Sequence, residues 1–175
     1  MAAALAMALG GRAAGAQQAD AGVSKAYTDA VQLYEQGYHD RALAAYRALA
    51  QAGDARAQYD LGILLTKGEG TAQNLSEAAR WFERAADAGR ASAQYNLGVM
   101  LVTGRGVARD YARGRQYLER AAGGGIAAAA YNVGVLYDQG LGVTTDAAQA
   151  RAWYLKAAEG GHAQAQYTLG QMYYE

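Results

Sequence analysis

A spacing of 36 residues runs through this sequence and restricts the chain to a repeat architecture. The pattern Tyr-x-x-Gly recurs at this interval, at Tyr59/Gly62, Tyr95/Gly98, Tyr131/Gly134 and Tyr167/Gly170. Gly-x-Gly turns, aromatic residues and Ala-Ala pairs recur in the same register. A period of this length is typical of a solenoid, because one repeat unit cannot bury its hydrophobic face alone and stacks on its neighbours. We therefore expect a repeat array and not a compact enzyme fold.

Each repeat has the pattern of two amphipathic helices separated by a glycine turn. In the repeat 91–126, helical spacing predicts helix A from Ala91 to Thr103 and helix B from Tyr111 to Ala122. Gly98 lies within helix A, where glycine costs about 1 kcal/mol relative to alanine, so we expect a neighbouring helix too close for a Cβ. The predicted fold is all-α, a right-handed α-solenoid of helix-turn-helix repeats. On a helical wheel the packed arc of helix A contains Ala91, Gln94, Tyr95, Leu97, Gly98, Leu101 and Val102.

The turns between helices carry glycine and N-capping residues. Gly104 and Gly106 are expected to take positive φ after helix A, and Asp110 to accept hydrogen bonds from the free N–H groups that open helix B. Asn74 and Asp146 hold the same place in the adjoining repeats. Because all three are strong N-cap residues, the pattern favours a capping role over a catalytic one.

The repeated segments resemble Sel1-like repeats, relatives of the tetratricopeptide repeat. The resemblance rests on AQYNLGVMLVTGRGVARD in 93–110 and AQYTLGQMYYE in 165–175, which follow the family pattern A-x-A-Q-Y-x-L-G-x-x-Y-x-x-G-x-G-V-x-x-D. It spans residues 55–175, while the segment 25–54 is similar to a single tetratricopeptide hairpin. The departures are small: Leu65 and Leu101 replace a tyrosine that Tyr137 retains, and Gly114 replaces an alanine of helix B.

The chain is thereby divided into an array and a leader. We expect a signal peptide or its remnant in 1–16, a linker in 17–24 and a tetratricopeptide-like hairpin in 25–54. Sel1-like repeats are expected in 55–90, 91–126 and 127–162. The first helix of a fourth repeat follows in 163–175, and we expect the sequence to be a fragment of an array that continues with a further helix B.

The leader contains the features of a short export signal. An apolar stretch from Ala2 to Leu9 is followed by Ala14-Gly15-Ala16, which has the small-x-small form of a signal-peptidase site. This predicts a periplasmic or secreted bacterial protein. No basic residue precedes the apolar stretch, so a disordered alanine-rich leader on a cytoplasmic protein is the alternative. The stretch is shorter than the roughly 20 apolar residues that span a bilayer, and we expect no integral membrane span.

Composition and motifs argue against enzymatic chemistry. Sixteen basic and sixteen acidic residues cancel, which removes the main electrostatic argument for nucleic acid. The chain has no cysteine, and its two histidines, His39 and His162, have no second histidine or cysteine nearby in register. The Gly-x-Gly turns follow a helix and lack the third glycine of a dinucleotide site. We expect no metal, no cofactor, no small-molecule substrate and no enzymatic activity.

The expected function is to bind a protein or peptide on the concave surface formed by the A helices. Positions 2, 6 and 9 of each repeat lie opposite the packed arc and are the candidate contacts. Asn96 and Asn132 stand one repeat apart, where their amides could bond the backbone of an extended peptide. The alternative is that a solvated helix face simply favours polar residues. The candidate partner-binding residues are Arg56, Asp60, Ile63, Ser92, Asn96, Val99, Asn132, Val135, Thr168 and Gln171.

Family resemblance implies a role as a non-enzymatic scaffold or adaptor. Two other functions stay open at this point. The first is hydrolysis of a cell-wall or β-lactam substrate, as labelled for cysteine-rich Sel1-like relatives, although those have a disulfide in each repeat and this chain has no cysteine. The second is a passive spacer between domains of a longer parent protein. A chromogenic β-lactam assay separates the first alternative from the scaffold, and the full gene separates the second.

Overall fold

The computed structural model of the protein describes residue 22 and residues 24–174. The expected signal peptide in 1–16 therefore lies outside the described residues, as does most of the expected linker in 17–24. Residue 24 is already helical, so the first helix includes the end of the segment that the sequence assigned to the linker.

Nine helices and no strand make up the part of the chain that the structure describes, which confirms the all-α prediction. Helix α5 has the predicted bounds, and α6 extends one residue beyond them. The odd-numbered helices are the A helices and the even-numbered ones are the B helices. They are α1 (24–35), α2 (His39–Gln51), α3 (Ala55–Lys67), α4 (Leu75–Asp87), α5 (Ala91–Thr103), α6 (Tyr111–Gly123), α7 (Ala127–Gln139), α8 (Ala147–Glu159) and α9 (Ala163–Tyr174).

The helices stack in the order of the chain. From α2 to α9, each helix packs chiefly against its neighbours in this series. Nearest-neighbour packing of this kind is the defining property of a solenoid, in which each repeat contacts only the adjoining repeats. The core that results is rich in alanine, and its large side chains include Leu61, Phe82, Leu118 and Leu136.

Glycines inside the A helices allow close contact with the following B helix. A Cβ on Gly62 would lie 2.6 Å from Cε1 of Phe82, and one on Gly98 would lie 2.8 Å from Cγ of Leu118. Since real Cβ atoms do not approach other atoms so closely, both sites exclude a larger residue. The expected close approach at Gly98 is confirmed.

The buried face of helix A is rotated relative to the predicted arc. Ala93 and Met100 are buried in α5 although the wheel placed them outside the arc, whereas Tyr95 and Val102 are only half-buried. The reason is that α5 packs against both α4 and α6, so two neighbouring helices together set the direction of its buried face. A wheel drawn for a single packing partner cannot show this.

The turns have the backbone conformation and the N-caps that were predicted from the sequence. Gly104 and Gly106 have φ values of 72° and 74°, in the left-handed region that glycine enters without strain. Oδ1 of Asp110 accepts a hydrogen bond from the backbone N–H of Arg113 at 3.0 Å. Asn74 and Asp146 cap α4 and α8 in the same way. The predicted capping roles are therefore confirmed.

A glutamine at the start of three A helices, buried in α3 and α5 and exposed in α9, joins each one to the preceding B helix. In α5, Nε2 of Gln94 donates to the carbonyl oxygen of Ala86 at 3.1 Å, eight residues earlier. Gln58 and Gln166 make the equivalent bonds to Ala50 and Ala158. The glutamine of the repeat pattern thus connects consecutive repeats.

The substitution Gln94→Ala is expected to lower the free energy of unfolding by about 1–2 kcal/mol, because it removes a buried hydrogen bond and the packing of the side chain. Urea denaturation followed by circular dichroism measures the loss. Gln116→Ala is the matched control, since Gln116 is exposed on α6 and its replacement should change stability by less than about 0.5 kcal/mol. Equal losses in the two variants would contradict the role given to Gln94.

Candidate functional site

The ten candidate contacts lie on the A helices, three on α3, three on α5, two on α7 and two on α9. All are half-buried except Gln171, which is exposed. The apolar members Ile63, Val99 and Val135 pack against the core. A side chain in this position packs with one side and leaves the other side exposed.

Three of these residues from two different repeats line one cavity. It has a volume of about 220 Å³ and lies between α3 and α5, with Ile63 on one wall and Asn96 and Val99 on the other. Helix α4 contributes Leu75 and Phe82. We call this cavity the α3/α5 groove. Its further lining residues are Thr66, Lys67, Tyr95, Met100 and Arg105.

The polar residues at position 6 of the repeats differ in whether their side chains have a partner. Asp60 accepts a hydrogen bond from the hydroxyl of Tyr27 at 2.6 Å, and Thr168 donates to the carbonyl oxygen of Gln164 at 2.9 Å. The amides of Asn96 and Asn132 make no hydrogen bond with any residue that the structure describes. Half-buried amides without a partner are available to a ligand, because a polar group removed from water needs a hydrogen bond.

The N-terminal end of this surface is occupied by the protein itself. Burial is the main reason that the pKa of Asp60 is raised, and the hydrogen bond from Tyr27 opposes that shift. Burial, together with the bond to Asp60, raises the pKa of Tyr27 to about 12. Because each group stabilises the other inside the fold, the pair joins α1 to α3.

Arg56 is engaged at the same end. Its Nη2 donates to Oδ2 of Asp54 at 2.6 Å, and its guanidinium lies 4.4 Å from the centre of the Tyr27 ring. Both contacts tie the side chain to α1 and to the start of α3. Arg56 and Asp60 thus differ from Asn96 and Asn132 in having partners within the chain.

The sequence matches a known family of repeat proteins. The profile of the Sel1 repeat matches residues 55–89, 91–125, 127–162 and 163–175, which is more than half of the chain. The chain belongs to the Sel1 repeat family. Arrays of Sel1 and tetratricopeptide type typically mediate protein–protein interactions, and Sel1 repeat proteins are generally non-enzymatic scaffolds.

Solved structures of Sel1 repeat proteins share the fold. A Sel1 repeat protein from Oxalobacter formigenes is 31% identical with a TM-score of 0.78, over 86% of this chain and 63% of that one. The protective antigen c5321 of uropathogenic Escherichia coli is 30% identical with a TM-score of 0.74, over 77% of this chain and 29% of that one. The chain therefore spans less than two thirds of either protein. No curated protein sequence matches it significantly.

A more distant likeness concerns the fold alone. Cysteine rich protein B of Helicobacter pylori is 18% identical, with a TM-score of 0.56, over 82% of this chain and 96% of that one. The present Sel1 array contains no cysteine. What the two proteins share is therefore the helical arrangement.

Two further structural findings bear on the site. Among the described residues, no group of three or more histidine, aspartate or glutamate side chains converges as a metal site would require. None of the helices described here combines the length and apolar character needed to cross a membrane.

Sequence reasoning missed several residues of the α3/α5 groove. Tyr95 was assigned to the packed arc, although it is half-buried and lines the cavity. Lys67 ends α3 and Arg105 lies in the turn after α5, beyond the face that a helical wheel describes. The signal that could have found them is their variation between repeats: the residues equivalent to Lys67 are Thr103 and Gln139, and those equivalent to Arg105 are Glu69 and Leu141.

Proposed function

We propose that this Sel1 array is a scaffold that binds an extended segment of a partner protein in the α3/α5 groove. The observation that carries the proposal is the meeting of Ile63, Asn96 and Val99 around one cavity of about 220 Å³. These residues come from two repeats and were selected from the sequence as candidate contacts. The mechanism is recognition by shape and hydrogen bonding, without bond chemistry.

The two kinds of residue in the groove have different tasks. Ile63, Val99 and Met100 provide apolar walls, so an apolar side chain of the partner would be removed from water there at a gain of roughly 25 cal/mol per Å² buried. The amide of Asn96 both donates and accepts, which suits the backbone of an extended peptide. Asn132 continues the same row one repeat further. Side-chain burial would supply affinity, and the amides would set the register of the bound chain.

A displayed library of random dodecapeptides, selected on the immobilised protein, tests the proposal. We expect peptides with a large apolar residue to be enriched. The variant Asn96→Trp should weaken the selected peptides at least about tenfold, because the indole occupies the groove and the amide is lost; a cost of 1.4 kcal/mol corresponds to this factor.

Gln116→Trp is the matched control, since it adds the same ring to an exposed position on α6, away from the groove. It should bind the selected peptides as the unchanged protein does. Thermal unfolding of both variants shows that they are folded. The proposal fails if no peptide is enriched, or if the two variants bind the selected peptides equally well.

A further inference from the structure

We infer that the α3/α5 groove selects a partner segment in which an acidic side chain lies next to the apolar one, with Arg105 and Lys67 as the residues that recognise the carboxylate. This inference rests on the proposed function and names the chemistry of the partner.

The charge of the groove has one sign. Lys67 and Arg105 are the charged residues among those that line the cavity, and no carboxylate is among them. Lys67 is the last residue of α3, and Arg105 follows α5 in the Gly-x-Gly turn. Because α3 and α5 are A helices of successive repeats, both cations belong to the end of the groove where the A helices finish. A partner that fills the groove with an apolar side chain therefore meets a cationic border at that end.

Arg105 is the cation available to a partner. It is exposed and makes no hydrogen bond or ion pair with any residue that the structure describes. A guanidinium carries five N–H donors in a planar fork, which matches the two oxygens of a carboxylate. Arg105 can thus form a bidentate pair with an aspartate or glutamate of the partner without losing an internal contact.

Lys67 is the second cation and is held in place by a small network. Its Nζ lies 3.6 Å from Oε1 of Glu69 and donates to the hydroxyl of Tyr34 at 3.4 Å. That hydroxyl in turn donates to Oε2 of Glu69 at 2.9 Å. The bond to Tyr34 and the charge of Glu69 raise the pKa of Lys67. Glu69 offsets part of the charge of Lys67, and Arg105 is left as the main attraction for an anion.

The two cations have no charged counterparts at the equivalent positions of the next repeat. One repeat further along the chain, Asn132 occupies the position equivalent to Asn96. Thr103 occupies the position equivalent to Lys67, and Leu141 the one equivalent to Arg105. The shared asparagine fits a general contact to a peptide backbone. The absence of the two cations from the equivalent positions of the next repeat fits the recognition of one particular side chain.

The fold does not depend on the side chain of Arg105. The shape of the turn rests on the positive φ values of the flanking Gly104 and Gly106. Substituting Arg105 therefore changes the charge of the groove without removing a structural contact, and a loss of binding can be assigned to recognition.

Selection of the same random dodecapeptide library on three proteins tests the inference. The proteins are the unchanged chain, Arg105→Glu and Arg80→Glu. Arg80 is exposed on α4 and lies outside the α3/α5 groove. Its variant has the same net charge as Arg105→Glu, because both replace one arginine with glutamate. Circular dichroism and thermal unfolding confirm that both variants are folded.

On the unchanged chain and on Arg80→Glu, we expect aspartate or glutamate to be enriched within two positions of the large apolar residue. On Arg105→Glu, this preference should be lost and lysine or arginine enriched instead. An acidic peptide should bind Arg105→Glu at least about tenfold more weakly, and its lysine-substituted form should recover most of the affinity, as expected of paired charges at an interface. The difference should shrink as salt is raised.

The outcomes separate this inference from the proposed function. If apolar residues are enriched but the charge preference is the same on all three proteins, the inference is overturned while the proposed function stands. If no peptide binds the unchanged chain, both fail.

Discussion

Replacing Phe82 with alanine is expected to lower the free energy of unfolding by about 3–5 kcal/mol, the usual cost of removing a buried phenylalanine. The side chain is 1% exposed, and its ring lies against Gly62 of α3 and 5.8 Å from the centre of the Tyr59 ring. Gly62 has no side chain that could move into the space left by the ring. Removing the ring therefore opens a cavity between α3 and α4.

Urea denaturation followed by circular dichroism measures this loss, and two further variants interpret it. Phe82→Leu copies Leu118, the residue at the same position of the next repeat, and should cost less than about 1.5 kcal/mol because it nearly conserves the volume. Arg80→Ala changes an exposed residue of the same helix and should cost less than about 0.5 kcal/mol. A loss below 1 kcal/mol for Phe82→Ala would contradict the packing described here.

Gly106→Ala is expected to lower the free energy of unfolding by about 2–5 kcal/mol, through two separate effects. The residue has a φ of 74°, and the left-handed region costs an alanine roughly 1–2 kcal/mol. A Cβ there would also lie 2.5 Å from Cβ and 2.7 Å from the carbonyl carbon of Leu75, the first residue of α4. Overlap with a helix end that cannot move aside adds about 1–3 kcal/mol.

Gly89→Ala separates these two effects. Gly89 has a φ of 88°, but no atom lies within 4 Å of a Cβ placed on it. This variant should lose only the roughly 1–2 kcal/mol of backbone strain, so the difference between the two variants measures the contact with Leu75. Equal losses in urea denaturation would show that the turn does not press against α4.

The repeat spacing predicted the helices but not the contact that Gly106 makes. Positive φ could be expected from the Gly-x-Gly pattern alone. The approach of the second glycine to the first residue of the preceding B helix depends on how two repeats are stacked, and it recurs where Gly142 meets Tyr111. A local pattern determines backbone conformation, whereas the distance between two turns is set by the packing of helices that lie far apart in the chain.

The residues of the candidate site likewise include some that the sequence predicted and some that only the structure revealed. The helical wheel selected Ile63, Asn96 and Val99 because the face opposite the packed arc can be computed from periodicity. It gave no information on Lys67 and Arg105, which lie at a helix end and in a turn. It also could not show that Tyr27 contacts Asp60, because the N-terminal hairpin does not share the register of 36 residues.

By itself, the sequence determined that this protein is an all-α repeat array, where its turns and caps lie, and which glycines allow helices to approach. These properties depend on neighbours in the chain and recur with the period, so one repeat predicts the next. Only the tertiary structure decided which A-helix residues share a groove, which of them already have a partner, and which cations border it. Those properties arise where non-identical side chains of adjacent repeats meet, and a period describes only what the repeats have in common.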